Sequence, residues 1–415
     1  MRGQEHASVF DTNLWTAAIA LFLLILFSTT PAAQAQTFTT LHEFTNGPDG
    51  GEPLAGLTMD RAGNFYGTAS TGGNTNGVCS YRNPHGCGTV FKLSRRGSGW
   101  VLTPLYTFSG PDGRNPQARV IIGPDGSLYG TTTWGGDADE GTVFNLRPPA
   151  ASCKTALCPW TETVLHSFQG FTDGTEPTFG DLVFDSVGNI YGTTPHGGQG
   201  SNGTVYKLTH SNGGWTETVL HRFQGGGSDG VIPYAGLVFD QAGNLWGTTA
   251  FGGSYNEGTI YELVPSGGGW TESVVHNFLG ASDGASPYAG MIVDQYNNFY
   301  GTTYGYDGTT AKVFELSPSN GGWTYQVLYT LGANQGIIGK LAMDAAGNLY
   351  GTNYYDIPEV FRLTPSNGVW TLTGSWGGVG LSPAGNVILD SSGNLYTTTQ
   401  NGGPAEVGLV FEITP

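Results

Sequence analysis

Charged side chains are scarce in this 415-residue chain, where they make up 11% of the residues against about a quarter in ordinary soluble domains. Those present are mostly acidic, because 15 Lys and Arg stand against 32 Asp and Glu, for a net charge of −17. Phosphate backbones and anionic lipid surfaces repel such a chain. We therefore expect no nucleic-acid partner, and a ligand that is a cation, a neutral glycan or a basic protein.

Long hydrophobic runs are also rare, and the one present is short. Arg2 precedes an unbroken apolar run over residues 17–27, and the small residues Ala33 and Ala35 follow it. A membrane span needs about 20 apolar residues, so a secretory signal peptide fits better than an uncleaved anchor. We predict a signal peptide over residues 1–35. Neither a hydrophobic tail nor a sorting signal is recognisable at the other end. We therefore expect a protein released into the periplasm or the medium, without membrane insertion after cleavage.

Cysteine is limited to four residues in two local pairs, Cys79 with Cys87 and Cys153 with Cys158. Cysteine pairs in an exported chain usually form disulfides. A structural metal site would need four suitable ligands together, and His85 is the only histidine near either pair. We predict two disulfides, no metal centre and no other cofactor.

Glycine and aromatic residues are abundant instead, with 69 Gly, 10 Trp, 20 Tyr and 21 Phe. The glycines predict frequent turns, and the aromatics supply the apolar surface that disordered chains lack. A short string, Gly-Asn-x-Tyr-Gly-Thr or a close variant, recurs and predicts a repeat protein. Its seven copies begin at Gly63, Gly126, Gly188, Gly243, Asn297, Gly347 and Gly393. The two longest periods contain the two cysteine pairs.

Each repeat divides into four short segments rich in β-branched and aromatic residues, which we name strands A, B, C and D. In the fourth copy they cover residues 235–240, 244–249, 258–263 and 270–278. An Asp-x-x-Gly-Asn joint between A and B is typical of a hairpin turn. Repeats of four antiparallel strands are propeller blades, so we predict an all-β, seven-bladed β-propeller.

The two ends of the chain indicate that the ring is closed. The seventh copy stops after its strand C, whereas residues 37–44 match the end of a strand D and stand before the first strand A. A closed ring would use this displaced strand to complete the seventh blade and leave no sheet edge open. A linear solenoid needs no such permutation. We predict one monomeric propeller domain over residues 36–415.

The repeat resembles the GloVer tandem repeat of bacterial exported proteins. The resemblance rests on Gly-Asn-Leu-Tyr-Gly-Thr, Gly-Thr-Val-Phe-Lys-Leu and Gly-Trp-Thr-Glu-Thr-Val-Leu-His, and it covers residues 37–415. The family's varied surface-sorting tails have no counterpart here. The resemblance implies an exported repeat protein, with no established activity and no catalytic residue.

Three sets of polar residues recur with the repeat and are interpreted as structural. Strand D carries His42, His166, His221 and His276, and Tyr106 and Tyr329 replace histidine in other copies. That exchange suits a half-buried hydrogen-bonding group better than a ligand or catalytic position. Strand A ends in a turn-capping carboxylate at Asp60, Asp185, Asp240, Asp294, Asp344 and Asp390. The loop from D to the next A carries Asp49, Asp112, Asp173, Asp229 and Asp283. One carboxylate per loop is too few for a calcium site, and a turn role is favoured.

Function is best sought where equivalent positions differ, because the shared residues build the blade. One such position, four residues before the end of strand A, should open onto the central channel. Its occupants are Gly56, Arg119, Asp181, Gly236, Gly290, Lys340 and Asn386. A ligand site at the channel mouth could be formed by Arg119, Asp181, Lys340 and Asn386. Alternatively, the differences could reflect sequence drift at a solvated position.

The loops between strands B and C differ in a second way, because several carry exposed rings beside glycines or acidic residues. These rings are Trp134, His196, Phe251, Tyr304 and Tyr355. Aromatic rings with nearby carboxylates suit sugar stacking or a protein hot spot, although rings lying flat over neighbouring blades are equally compatible. No nucleophile elbow, zinc motif or nucleotide fingerprint is present.

We expect a non-catalytic propeller that binds a glycan or an envelope or extracellular protein through its loops. The alternative is a carbohydrate-active enzyme, a hydrolase or a lyase. Asp181, Glu176 or Glu52 would then be its acid or base, with Arg119 or Lys340 holding an anionic sugar.

Overall fold

The chain folds as seven four-stranded antiparallel sheets, the blades of a β-propeller, which confirms the predicted fold class. The computed structural model describes residues 37–81, 85–149, 159–305, 310–333, 336, 339–353, 359–377, 383 and 385–415. Blade 1 consists of β2 (Thr58–Met59), β3 (Phe65–Ala69), β4 (Thr89–Arg96) and β5 (Gly99–Thr107). Blade 2 consists of β6 (Ile121–Ile122), β7 (Leu128–Thr132), β8 (Thr142–Arg147) and β9 (Thr161–Ser167). Blade 3 consists of β10 (Val183–Phe184), β11 (Ile190–Thr194), β12 (Thr204–Ser211) and β13 (Gly214–Arg222). Blades 4 and 5 consist of β15 (Val238–Phe239), β16 (Leu245–Thr249), β18 (Thr259–Ser266) and β19 (Gly269–Asn277); and β20 (Ile292–Val293), β21 (Phe299–Thr302), β22 (Thr310–Ser319) and β23 (Gly322–Ala333). Blades 6 and 7 consist of β24 (Ala342–Met343), β25 (Leu349–Asn353), β26 (Glu359–Ser366) and β27 (Val369–Gly377); and β28 (Ile388–Leu389), β29 (Leu395–Thr399), β30 (Leu409–Thr414) and β1 (Thr37–Glu43). A small sheet of β14 (Gly230–Val231) and β17 (Phe251–Gly252) and one short helix, α1 (Val78–Tyr81), lie outside the blades.

Strand A is the innermost strand of every blade, and it is shorter than predicted. It contains two residues in each blade, where the sequence pattern in the fourth copy suggested six. Crowding at the axis explains the difference. A Cβ atom on Gly56 would lie 2.6 Å from the backbone nitrogen of Asn386, and one on Gly236 would lie 2.6 Å from that of Asp181. Neighbouring blades touch there through their backbones, so the chain before each strand A is shaped by its neighbour rather than by its own sheet.

The displaced N-terminal strand completes the seventh blade as predicted. β1 pairs antiparallel with β30, from Thr37 opposite Thr414 to Glu43 opposite Leu409. On the inner side of the same junction, the hydroxyl of Thr398 donates a hydrogen bond to the carbonyl of Ala55 at 2.7 Å. The two ends of the described chain therefore share one sheet, and the ring is closed.

The residues of the recurring string have separate structural roles, as blade 1 shows. Gly63 has a φ of +77°, which a residue without Cβ adopts freely. The carboxylate of Asp60 accepts hydrogen bonds from the backbone and side-chain amides of Asn64 and from the hydroxyl of Tyr66. Gly67 lies under the ring of Phe91, which fills the space that a side chain would occupy. The next residue, Thr68, donates to the carbonyl of Ala118 in blade 2 at 2.9 Å. The string thus builds a turn, a close ring contact and a link to the next blade.

The hydrophobic core lies between the blades. Seven clusters of buried residues are present in the described chain, and each joins residues of two consecutive blades. Between blades 7 and 1, for example, the ring of Phe65 packs 4.5 Å from that of Tyr396, and the ring of Phe44, directly after β1, packs 5.3 Å from that of Phe91. Because each sheet is covered on both faces, its second strand is buried along its whole length.

The first of the two predicted disulfides, Cys79–Cys87, is present, with its Cα atoms 5.0 Å apart and both side chains fully buried. It ties α1 to the end of the same B-to-C loop of blade 1, just before β4. Cys153 and Cys158 lie outside the described residues, as does the predicted signal peptide over residues 1–35. Among the residues that are described, no helix is long and apolar enough to cross a membrane.

Candidate functional site

The loops that precede strand A and the loops between strands B and C meet on one face of the ring, which we call the loop face. Within a blade they pair with each other: Arg114 pairs with Trp134 in blade 2, and Thr175 pairs with His196 in blade 3. Between blades, the backbone N–H of Glu176 donates to the carbonyl of Glu140 at 2.9 Å. Glu176 adopts a φ of +57°, a left-handed conformation that is uncommon for a residue with a Cβ. These backbone contacts hold the loop side chains of blades 2 and 3 in fixed positions.

A contiguous row of aromatic rings crosses the loop face over blades 3 to 5. Tyr234 lies at its centre, 6.3 Å from His196, 6.0 Å from Phe179 and 5.2 Å from Tyr288 between ring centroids, and the rings of Tyr234 and Tyr288 are stacked. Tyr288 in turn lies 5.1 Å from Tyr304. We call these five residues the aromatic arc. Four are half-buried, and Phe179 is 45% exposed.

Three members of the arc were not predicted from the sequence. Phe179, Tyr234 and Tyr288 each stand two residues before the channel-facing position of strand A. Tyr234 and Tyr288 directly follow Pro233 and Pro287. A proline has a fixed φ, and the residues after it lead directly into the innermost strand. The two tyrosine rings therefore lie at the rim of the channel. The Pro-Tyr dipeptide before strand A is the signal that could have identified two of them.

A cleft lined by acidic residues lies beside the arc, between blades 2 and 3. It has a volume of about 510 Å³ and is lined by Arg114, Trp134, Asp139, Glu140 and Glu176. The guanidinium of Arg114 makes a bidentate pair with Asp139, at 3.1 and 3.0 Å, and lies 4.9 Å from the centre of the Trp134 ring. We call this the carboxylate cleft.

Electrostatics in the carboxylate cleft are dominated by repulsion between acids. Burial, and then the charges of Glu176, Asp139 and Asp173, raise the pKa of Glu140. The carboxylate of Glu176 also lies 3.9 Å from Nε2 of His196, which connects the cleft to the aromatic arc. Cleft and arc therefore form one continuous polar and aromatic surface.

The channel-facing residues meet at the axis and form a polar plug. Arg119 donates to Asp181 in the next blade through Nη2 at 2.7 Å and Nε at 3.1 Å. The backbone N–H of Lys340 donates to the side-chain oxygen of Asn386 at 2.6 Å. Burial lowers the pKa of Lys340, Asp181 opposes that shift, and Arg119 adds to it. The four residues predicted for this position are thus brought together, and they bind one another.

Two openings of different size flank the plug. On the loop face a pocket of about 30 Å³ remains, lined by Phe179 and Tyr288 of the arc and by Asp181, Lys340 and Asn386, with glycines between them. On the opposite face a cavity of about 450 Å³ is lined mainly by strand A side chains such as Met59, Ile292 and Met343. The small pocket has room for an ion or a water molecule, so a larger ligand on the loop face would lie across the arc rather than enter the channel.

The strand D histidines and the loop carboxylates, which the sequence showed as two separate sets, form pairs with each other. Nε2 of His166 lies 3.0 Å from Oδ2 of Asp173, and His276 lies 2.9 Å from Asp283. The same aspartates accept hydrogen bonds from the backbone of their own loops, as Asp173 does from Gln169 at 3.0 Å. These carboxylates are engaged within their loops and do not point together as a ring of cation ligands.

Three of the five rings predicted in the B-to-C loops lie in the cleft or the arc. Trp134 lines the carboxylate cleft, and His196 and Tyr304 belong to the aromatic arc. Phe251 lies in β17, paired with Val231 on the same face. Tyr355 lies outside the described residues.

Fold and site together define the class: a closed seven-bladed β-propeller with its variable side chains on one loop face. The chain belongs to the Gloeobacter/Verrucomicrobia repeat family, whose model matches residues 25–158 and 156–359. The resemblance seen in the sequence is thereby confirmed. No curated protein matches the chain.

Several solved structures share the fold. A putative 6-phosphogluconolactonase from Bacteroides uniformis is 16% identical with a TM-score of 0.51, covering 85% of this chain and 94% of its own. The polysaccharide lyase Uly1 is 10% identical with a TM-score of 0.50, covering 93% and 94%. A protein from Lactobacillus plantarum is 16% identical with a TM-score of 0.50, covering 79% and 95%. At these identities the similarity shows the fold alone.

Proposed function

We propose that this protein is an exported carbohydrate-binding propeller that holds a glycan chain along the aromatic arc. The observation that carries the proposal is the continuity of the arc: four rings from three successive blades, His196, Tyr234, Tyr288 and Tyr304, follow one another at centroid distances of 5.1 to 6.3 Å. Faces of aromatic rings offer apolar surface to the C–H faces of sugars.

Charge and compartment support the same proposal. The carboxylate cleft adjoins the arc and supplies acceptors for sugar hydroxyls, and its acids would repel an anionic glycan. We therefore expect a neutral or amino-bearing sugar. The buried Cys79–Cys87 disulfide is consistent with an extracellular or periplasmic location.

A glycan array with the mature protein tests the proposal. Tyr234→Ala and Tyr288→Ala should each weaken binding at least tenfold, because each removes a stacking surface from the middle of the arc. Tyr296→Ala is the matched control, since this tyrosine is 71% exposed in a turn on the opposite face. Binding that survives both arc substitutions would contradict the proposal, and selective capture of an envelope protein without any glycan signal would replace it.

A second candidate is a carbohydrate-active enzyme that uses the carboxylate cleft. The observation that favours it is that Glu140, whose pKa is raised, lines the same cleft as Glu176, since a pair of carboxyl groups can serve as acid and base in glycoside cleavage. Release of new sugar ends from a bound polysaccharide, abolished by Glu140→Gln and by Glu176→Gln but not by Tyr296→Ala, would establish activity.

A further inference from the structure

The contact between blades 3 and 4 departs from the other blade contacts in one loop. After the strand D histidine, the next aspartate follows at the seventh residue in three blades, pairing His42 with Asp49, His166 with Asp173 and His276 with Asp283. In blade 3 the loop contains one residue more, in the glycine run 225–227, so that Asp229 follows His221 at the eighth residue.

The longer loop opens the histidine–aspartate pair. The carboxylate of Asp229 accepts hydrogen bonds from the backbone N–H of Gln224 at 2.6 Å and of Gly230 at 2.7 Å. Its Oδ2 atom lies 3.4 Å from Nε2 of His221, where the other three pairs measure 2.9 to 3.1 Å. Nε2 of His221 is shielded from solvent and makes no hydrogen bond to any described residue.

A carboxylate of the next blade faces the open pair. Glu272 lies in β19 of blade 4, and its Oε1 atom is likewise buried with no hydrogen-bond partner among the described residues. His221, Asp229 and Glu272 each offer one potential ligand atom, and these three atoms lie within 4.8 Å of one another. The fully buried hydroxyl of Tyr261, on the same face of blade 4, is a third polar group that has no hydrogen-bond partner in the part of the chain that the structure describes.

We propose that His221, Asp229 and Glu272 bind a divalent transition-metal ion, with Zn²⁺ as the best match, between blades 3 and 4. One imidazole nitrogen and two carboxylate oxygens are ligands that Zn²⁺ prefers, at about 2.0 to 2.2 Å in tetrahedral geometry. Two such ligands are about 3.3 Å apart around a tetrahedral ion, close to the 3.4 Å between His221 and Asp229. A rotation of the Glu272 side chain would close the third position, and water would fill the fourth.

The ion would give a partner to the buried Nε2 atom of His221 and the buried Oε1 atom of Glu272. Burying such polar atoms without a partner costs free energy. It would also join two blades through their outermost strands, whereas the aromatic arc lies near the axis. The site is therefore independent of the proposed glycan surface, and its loss should leave glycan binding unchanged.

Blades 2 and 3 provide a matched control. Their contact contains the same three residue types, His166, Asp173 and Glu217, and Glu217 also has a buried Oε1 atom with no hydrogen-bond partner within the described ranges. There the imidazole is already bound to the aspartate at 3.0 Å. The proposal therefore predicts a metal at one contact and none at the other.

The test is a calorimetric titration of the metal-free full chain with Zn²⁺, together with the visible spectrum of Co²⁺ displaced by Zn²⁺. We expect one equivalent per chain, an affinity at least tenfold lower in His221→Gln and Glu272→Gln, and no change in His166→Gln and Glu217→Gln. Deleting Gly226 restores the seven-residue spacing and should abolish binding without altering any ligand.

Circular dichroism of each variant without metal separates loss of the site from loss of the fold. If a ligand variant does not fold, the Gly226 deletion decides the question. The absence of stoichiometric binding to the wild-type chain, undiminished binding in the deletion variant, or an equal loss in the control variants would each overturn the proposal.

Discussion

Tyr234 and Tyr288 stack on each other with their ring centroids 5.2 Å apart and their planes inclined by 28°, although they belong to the loops of different blades. Each follows a proline and precedes an innermost strand, so the blade repeat places one ring beside the next around the axis. The contact depends on the packing of blade 4 against blade 5, because the two loops are separated by a complete blade in the sequence.

Phe44 of the strand-D segment at the start of the described chain tests ring closure. Its side chain is 1% exposed in the core between blades 7 and 1. Phe44→Ala should lower the free energy of unfolding by about 3 to 5 kcal/mol, the usual cost of emptying a buried phenylalanine site. Phe38→Ala, in the same segment of residues 37–44 but at a side chain that is 40% exposed, should cost far less. Equal denaturant midpoints for the two variants would mean that β1 does not seal the ring.

Asp60 tests the turn whose carboxylate recurs at the end of strand A in six of the seven repeats. Hydrogen bonds from Asn64, Ala62 and Tyr66 lower its pKa even though burial acts in the opposite direction. A lowered pKa stabilises the fold above the pKa of the unfolded chain, and this contribution is lost as the pH falls through the folded value. Asp60→Ala should therefore reduce stability at pH 7 by about 1 to 3 kcal/mol and by much less at pH 2.

Tyr66→Phe is the control for this prediction. It removes a single hydrogen bond to the same carboxylate, and we expect a cost of about 1 kcal/mol. An Asp60→Ala variant whose unfolding midpoint matches the wild type at pH 7 would show that the carboxylate does not hold the turn.

Glu162 should show the opposite pH dependence. Burial, and then the charge of Asp112, raise its pKa to about 7. Because the folded chain holds this proton above the pH at which the unfolded chain loses it, stability falls as the pH rises from the unfolded pKa of 4.5 to about 7. The side chain is partly exposed, so we discount the effect to about 1 kcal/mol.

Glu162→Gln should accordingly be more stable than the wild type at pH 8 and nearly equal to it at pH 4, as measured by thermal unfolding. A variant that is less stable at pH 8 would show that the carboxylate has a stabilising partner there.

Much of the fold could be predicted from the sequence, for reasons that the structure makes physical. Gly63, Asn64, Tyr66, Gly67 and Thr68 each have a separate role in the turn, the ring contact or the link to the next blade, so the string recurs. The displaced strand was visible because its pattern matches a strand D. The length of strand A could not be predicted, since contacts across the axis, not local propensity, end it.

The candidate site was predicted in part. Arg119 and Asp181 could be placed side by side because they occupy the same position in successive blades. Tyr234 and Tyr288 were missed because they directly precede an apolar strand and resemble core residues in the sequence. The pairing of His166 with Asp173 was missed as well, although the constant spacing of seven residues was available.

Calorimetric titration of the wild-type protein with oligosaccharides of increasing length tests the glycan platform most directly, using the sugar that the array selects. Because the arc spans three blades, we predict that affinity rises at least tenfold from the monosaccharide to a tri- or tetrasaccharide. We also predict that Tyr288→Ala removes this gain while Tyr296→Ala retains it. Equal affinity for the monosaccharide and the longer chains, or a gain that persists in Tyr288→Ala, would contradict the account.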